Sequence, residues 1–82
     1  MVRIAAGKAV EVFWLDANGK DDGWTDVSTI DHSPVEVRTV GILLQQNDDG
    51  ITVALSTVHD RSVAGGYIFI PHPYVVKVRP LR

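Results

Sequence analysis

Apolar and polar residues alternate most regularly in the second half of the chain, over residues 37–46 and 51–58. Alternation at period two is typical of β-strands, whose successive side chains point to opposite faces. The apolar residues that share one side of the first run are Val40, Ile42 and Leu44. The segment Asn47-Asp48-Asp49-Gly50 between the runs combines short polar side chains with a glycine, as tight turns do. The pattern therefore predicts an antiparallel hairpin.

Three further runs predict strands, at residues 9–15, 67–70 and 75–79, with a short additional strand at 2–5. Residues 67–70 are apolar on both sides, so we expect both faces of that strand to be covered. Prolines 71 and 73 cannot continue a strand, because they lack ladder donors and restrict φ, so residues 71–74 should form one turn of 3₁₀ helix. Residues 16–34 are rich in Gly, Asp, Asn and Ser and predict a long loop.

No stretch repeats apolar residues at helical spacing over three turns, so a substantial helix is not expected. Short strands separated by frequent turns predict an all-β fold. We expect a single domain over residues 1–82, folded as a small, strongly bent five-stranded barrel with a one-turn 3₁₀ helix before the last strand. A chain of this size buries only about 60 to 65% of its unfolded surface, which favours association with partners.

Two segments carry a resemblance to a known fold, Thr39-Val40-Gly41-Ile42-Leu43 and Phe69-Ile70-Pro71-His72-Pro73-Tyr74-Val75-Val76-Lys77-Val78. With the five-strand order, they resemble the small barrels of the Sm-like and Src-homology-three-like families. Gly41 matches the glycine that lets the second strand bend sharply. Sm-like proteins clamp a uridine with an Asp and Asn pair and an Arg-Gly pair. Here Asp48-Asp49-Gly50 and Pro71-His72 replace them, so no such RNA pocket is expected.

A wider set of short segments runs along most of the chain, namely Trp14-Leu15-Asp16, Gly23-Trp24, Thr39-Val40-Gly41, Asp48-Asp49, Ile70-Pro71 and Val78-Arg79-Pro80-Leu81. This set resembles small proteins encoded by bacteriophages and prophages, largely of unassigned role. The resemblance implies a viral accessory protein.

The amino-acid composition limits the cellular compartment and the classes of partner that we expect. The chain contains no cysteine and no apolar run long enough for a signal peptide or membrane span, so we expect a cytoplasmic protein, in the host cell if it is phage-encoded. The net charge of −2 argues against a general nucleic-acid binder.

The charges are unevenly distributed along the chain. Residues 16–36 contain six acidic residues and one basic residue, whereas residues 61–82 contain four basic residues and no acidic one. The two regions could attract each other within one chain or between copies.

The sequence offers little support for an enzyme, a metal site or a cofactor. His32, His59 and His72 are scattered and lack the spacing of zinc ligands. Ser62 stands too close to His59 in sequence to form a catalytic triad with it. The run from Asp16 to Gly23 only partly matches a calcium loop, since Lys20 occupies a ligand position. A flexible acidic loop is the better interpretation.

The two tryptophans are the strongest candidates for ligand contact. Trp14 ends an apolar strand and belongs either to the core or to a site, and Trp24 either caps the barrel or awaits a ligand. Stacking on an indole would suit a nucleotide-like anion. The hypothetical ligand site comprises Trp14, Asp16, Trp24, His59 and Arg61.

The last two strands predict self-association, because exposed strand edges pair with other chains. The predicted oligomer edge comprises Tyr67, Ile68, Phe69, Ile70, Val75, Val76 and Lys77. We therefore expect a non-enzymatic, phage-type accessory binding protein that forms a homo-oligomer through its edge strands. A host protein partner remains open, as do two alternative functions, sequestration of a nucleotide-like ligand and a minor structural role in the virion.

Overall fold

The structure, a computed structural model, describes residues 3–81 and is all-β. Its elements are the strands β1 (Ala9–Asp16), β2 (Val35–Gln46), β3 (Gly50–Ala54), β4 (Tyr67–Pro71) and β5 (Val75–Pro80), with two one-turn 3₁₀ helices, η1 (Val27–Thr29) and η2 (His72–Tyr74). The predicted hairpin corresponds to β2 and β3, and η2 confirms the predicted turn before the last strand.

Two predicted boundaries differ from the structure. β3 ends at Ala54 although alternation continues to residue 58, because beyond Ala54 the regular ladder gives way to an isolated bridge between Thr57 and Ala64. The short strand predicted at 2–5 is absent from its described part, residues 3–5, and Val2 lies outside the described residues.

The strands form one antiparallel sheet in the order β4-β3-β2-β1-β5. β4 and β5 are its two edges, and over residues 3–81 no ladder joins them, so the sheet is open and the predicted closed barrel is not formed. Pro71 ends β4 without an N–H to donate, and the single turn of η2 carries the chain from one edge to the other.

A sharp bend in β2 shapes this sheet around its core. Ala9 of β1 and Ala54 of β3 both lie opposite Ile42, so β2 changes partner next to Gly41. A Cβ atom at Gly41 would overlap the carbonyl oxygen of Ala54 and lie 2.5 Å from a methyl carbon of Val53. Only glycine lets the two strands approach this closely.

The core lies on one face of the sheet. Its buried cluster consists of Val10, Val12, Trp14, Leu43, Ile51, Val53 and Ile70. The alternating residues Val40 and Ile42 lie on the opposite face, where Val40 is 47% exposed, while Leu43 enters the core. The alternation of β2 therefore has the predicted period of two, but the row of residues that includes Val40 and Ile42 faces away from the core.

The expectation that both faces of β4 are covered is wrong. Ile70 is fully buried, but Tyr67 is 73% exposed and Phe69 is 44% exposed. Both aromatic residues lie on the face away from the core, with only β3 beside them. None of the helices in residues 3–81 has the length and hydrophobicity needed to cross a membrane.

Replacement of Gly41 by alanine should lower the free energy of unfolding by about 1–3 kcal/mol, because the new methyl group forces β2 and β3 apart. Gly19→Ala is a matched control, since a Cβ atom there meets nothing within 4 Å. It should change stability by no more than about 1 kcal/mol. Urea unfolding of both variants measures the difference, and equal stabilities would refute the role of Gly41 at the bend.

Candidate functional site

Charged side chains are concentrated on the face of the sheet opposite the core, which we call the outer face. They lie on three of the five strands, β2, β1 and β5. Glu11 lies between Val40 and Arg79, and the next outward residue of β1, Phe13, lies between Arg38 and Lys77. Cross-strand partners share a face, so these residues form two neighbouring rows.

Glu11 is the one buried charged residue of residues 3–81, with its side chain 1% exposed. Arg38 Nε donates to Glu11 Oε2, and Arg79 Nε donates to Glu11 Oε1 at 2.5 Å. The two arginine side chains remain 62% and 55% exposed. A single carboxylate therefore holds two guanidinium groups in place and ties β2 and β5 to the central strand.

These contacts keep Glu11 ionised. Burial acts to raise the pKa of Glu11, but hydrogen bonds from Arg79 and Arg38, together with their positive charges, outweigh it, so the pKa lies below the ordinary value of 4.5. The lowered pKa means that the ion pairs stabilise the folded state fully above pH 4.5 and lose this effect as the pH falls through the folded-state pKa.

A groove runs along the outer face beside Phe13, with a volume of about 540 Å³. The residues that contribute to its walls include Phe13, Leu15, Glu36, Arg38, Val76 and Lys77. The Phe13 ring is half-buried, whereas Lys77 is exposed and forms no ion pair within residues 3–81. The groove thus combines an aromatic surface with a free ammonium group and an oriented guanidinium group.

Trp14, a candidate from the sequence, is a core residue. Its side chain belongs to the buried cluster, and its indole Nε1–H donates to Thr39 Oγ1 at 2.9 Å. Asp16 ends β1, where its carboxylate accepts a hydrogen bond from the backbone N–H of Ala17 at 2.7 Å.

Trp24 does not cap the sheet, so that interpretation is wrong, and its side chain is fully exposed. It belongs to the loop of residues 17–34, which we call the acidic loop and in which every residue is exposed. The loop is organised by its own polar groups rather than by the core. Asn18 donates to the carbonyl oxygens of Asp31 and Ser33 at 3.1 Å each. Local hydrogen bonds of this kind do not require a buried aromatic ring.

Asp26 organises the acidic loop around η1. Its carboxylate accepts hydrogen bonds from the backbone N–H and the hydroxyl of Ser28, at 3.0 and 2.9 Å. These bonds lower the pKa of Asp26. The arrangement is an ordinary N-cap, which stabilises the turn and needs no ligand.

The remaining candidates, His59 and Arg61, lie at the other end of β1. Arg61 has a positive φ of 65°. Its guanidinium group is next to Gly7, which lies just before β1 and donates its N–H to the carbonyl oxygen of Leu43. Asp16 is at the far end of the eight-residue strand, roughly 23 Å away at the rise of a β-strand. The five residues of the hypothetical ligand site therefore fall into two separate groups.

The loop that carries His59 is organised by a local contact of Asp60. Asp60 accepts a hydrogen bond from the backbone N–H of Ser62 at 2.9 Å, and hydrogen bonds from Ser62 lower the pKa of Asp60. Over residues 3–81, no group of three or more His, Asp or Glu side chains is placed so that it could hold a metal ion.

The predicted oligomer edge maps to the two ends of the sheet. Tyr67, Ile68, Phe69 and Ile70 lie on β4, and Val75, Val76 and Lys77 lie on β5. Backbone groups alternate in direction along an antiparallel strand. Gly66 accepts a hydrogen bond from the N–H of Leu55, and the N–H of His72 donates to Asp49, the residues that flank β3. By the alternation, the backbone groups of Tyr67 and Phe69 therefore point outward.

On β5, the N–H of Leu81 binds Ala9 of β1, so the N–H of Val78 points outward by the same alternation. A register shift opposite Phe13 and Trp14 leaves Val76 as an extra, unpaired residue. Pro80 has no N–H to offer. The edge of β5 that can pair is therefore short and centred on Val78.

Comparison of the chain with protein-family models, with curated proteins and with solved structures gives no match. The functional argument therefore depends on the geometry of the outer face and of the two sheet edges.

The sequence analysis missed Glu11, Arg38 and Arg79. The available signal was a single acidic residue inside the apolar run of β1, which indicates a buried charge that needs partners. The partners lie 27 and 68 residues away, so the register of three strands had to be known before they could be assigned.

Glu11→Gln should lower the free energy of unfolding at pH 7, because the neutral amide turns a donor toward one of the two arginines. The difference from the wild type should shrink as the pH falls from 4.5, as the wild-type carboxylate becomes protonated. Urea unfolding between pH 7 and pH 3 measures it. Glu36→Gln, which removes an exposed carboxylate from the same face, should show little difference at any pH. A pH-independent difference for Glu11→Gln would contradict the ion-pair assignment.

Trp24→Ala should change the free energy of unfolding by less than about 0.5 kcal/mol, because the exposed ring buries no surface in the described structure. Trp14→Ala, which empties part of the core, should cost about 3–5 kcal/mol. A loss of more than about 1 kcal/mol in Trp24→Ala would mean that this ring packs against the sheet after all.

Proposed function

We propose that this protein is a non-enzymatic, phage-type accessory binding protein that assembles with copies of itself through β4 and β5. The observation that carries the proposal is the pair of sheet edges, which have no partner within residues 3–81. Unpaired edges readily bind another strand.

The exposed side chains along these edges favour association. The large apolar residues that remain exposed on the edge strands and on the turn η2 between them are Tyr67, Phe69, Tyr74 and Val76, with exposures from 44% to 73%. Their burial between copies would add to a core that is small in a chain of this length.

The direction of the free backbone groups defines the pairing. Because neighbouring strands are antiparallel throughout the sheet, β4 and β5 run in the same direction. Residues 67–69 of β4 in one copy would therefore lie parallel to residues 77–79 of β5 in the next, away from the prolines that end both strands. With both outer faces on the same side, Tyr67 and Phe69 would lie beside Lys77 and Arg79 of the neighbouring copy. Contacts between cations and aromatic rings stabilise such an arrangement.

The strand order gives further support. The order β4-β3-β2-β1-β5, with a 3₁₀ turn between the two edges, agrees with the resemblance to Sm-like and Src-homology-three-like barrels. Sm-like proteins form rings in which edge strands of neighbouring copies pair. In this proposal the curved sheet acts as such a barrel unit, and the neighbours supply the pairing that the single chain lacks.

Charge favours the same mode of assembly. The acidic residues concentrate in 16–36, whereas residues 61–82 carry only positive charges. Head-to-tail contacts between copies bring unlike surfaces together, and these contacts would weaken at high salt concentration. A structure with two different complementary edges can close into a ring.

Tyr67→Lys should convert an oligomer into a 9.0 kDa monomer, because it adds a charge to the edge of β4 and places it opposite the cations of β5. Light scattering over a range of concentrations gives the mass. The control is Val63→Lys, which adds the same charge to an exposed position in the loop before β4 and should leave the mass unchanged.

Two results would contradict the proposal. One is a wild-type protein that remains a monomer at millimolar concentration. The other is a Tyr67→Lys variant that keeps the wild-type mass while remaining folded by circular dichroism.

A further inference from the structure

We infer that the outer face binds a nucleoside monophosphate in the groove beside Phe13. The inference does not depend on self-assembly, since every residue it uses belongs to one chain. It concerns the ring of Phe13 and three cations on β2 and β5: Arg38 and Lys77 contribute to the groove, and Arg79 lies in the neighbouring row beside Glu11. Lys77 and Arg79 also lie on the edge of β5 that the proposed assembly uses, so the test includes a variant designed to be monomeric.

The two arginines provide oriented donors for a phosphate group. Each uses its Nε to bind Glu11, and within residues 3–81 neither arginine forms an ion pair with any other acidic residue. Arginine binds phosphate well because its donors are arranged in a rigid fork. Here Glu11 has already restricted both side chains, so less conformational freedom is lost when a ligand binds.

Phe13 provides the surface for the base. The register places Phe13 directly between Arg38 and Lys77, and its half-buried ring forms part of the groove. Leu15 and Val76 extend the apolar wall. All nucleobases stack on aromatic rings, whichever base is present. A cation on each side of the Phe13 ring suits a molecule that joins a base to an anion.

The local charge selects a small anion. Arg38, Arg79 and Lys77 carry three positive charges, which Glu11 and the exposed Glu36 of the groove reduce to a net charge of +1. The chain as a whole has a charge of −2. A long polyanion would meet repulsion outside the groove, whereas a monophosphate would contact only the cationic rows.

The same ligand chemistry was expected from the sequence at Trp14 and Trp24. The structure buries Trp14 in the core and places Trp24 on the projecting acidic loop. Phe13 instead combines a ring with neighbouring cations, so the outer face is the better location.

The test is isothermal titration calorimetry with adenosine, guanosine, cytidine and uridine monophosphates, with adenosine alone and inorganic phosphate as partial probes. We expect saturable binding of at least one nucleoside monophosphate, with adenosine and inorganic phosphate each bound at least about tenfold more weakly. Lys77→Gln should weaken nucleotide binding by about tenfold. The matched control is Lys8→Gln, which removes an exposed lysine just before β1 and should bind like the wild type.

Nuclear magnetic resonance locates the site independently of affinity. Amide shifts on nucleotide addition should concentrate on Phe13, Arg38 and Lys77. Both measurements are repeated in Tyr67→Lys, where binding should persist whether or not the protein assembles. Failure of all four nucleotides to bind at millimolar concentration would overturn the inference. So would inorganic phosphate binding as tightly as the nucleotide, or an unchanged affinity in Lys77→Gln.

Discussion

The bend of β2 at Gly41 determines how the two halves of the sheet pack together. Before the bend β2 pairs with β1, and after it β2 pairs with β3, so one strand serves both halves of the sheet. The close approach of Ala54 leaves no space for a side chain at the bend. Because the sheet curves there, Leu43 and Val53 meet the valines of β1 in a common core. The same curvature leaves β4 and β5 as separate edges, which makes association through them possible.

The two faces of the sheet are stabilised by different interactions. The core face excludes water with apolar side chains, whereas the outer face fastens β2, β1 and β5 through one buried carboxylate and two arginines. A buried ion pair of this kind contributes less net stability than its geometry suggests, because desolvation opposes it. Its clearer consequence is orientation, since it fixes the register of the edge strand β5 and presents two guanidinium groups to solvent. The outer face can therefore combine a structural role with ligand recognition.

The sequence predicted the five strands of the sheet, the hairpin and the turn at η2, because period-two alternation and prolines are local signals, but its additional strand at 2–5 is absent from the described residues 3–5. It could not decide which side of β2 faces the core, since alternation shows only that Val40 and Ile42 share a face. The position of Trp24 was ambiguous for a similar reason. Burial of a large ring is favourable, but the acidic loop is held by its own hydrogen bonds and leaves the indole of Trp24 in solvent. The cluster around Glu11 escaped prediction because its members come together only when three strands are in register.

In the proposed assembly, the open edges of this sheet are the sites of pairing between copies. Amide hydrogen exchange at several protein concentrations tests this pairing, because by the alternation of the ladder the N–H groups of Tyr67, Phe69 and Val78 point away from the sheet and have no partner within residues 3–81. We expect their exchange to slow as the concentration rises, while the amides of β3, already bonded inside the sheet, exchange at a constant rate. Fast exchange of these three amides at every concentration would contradict it.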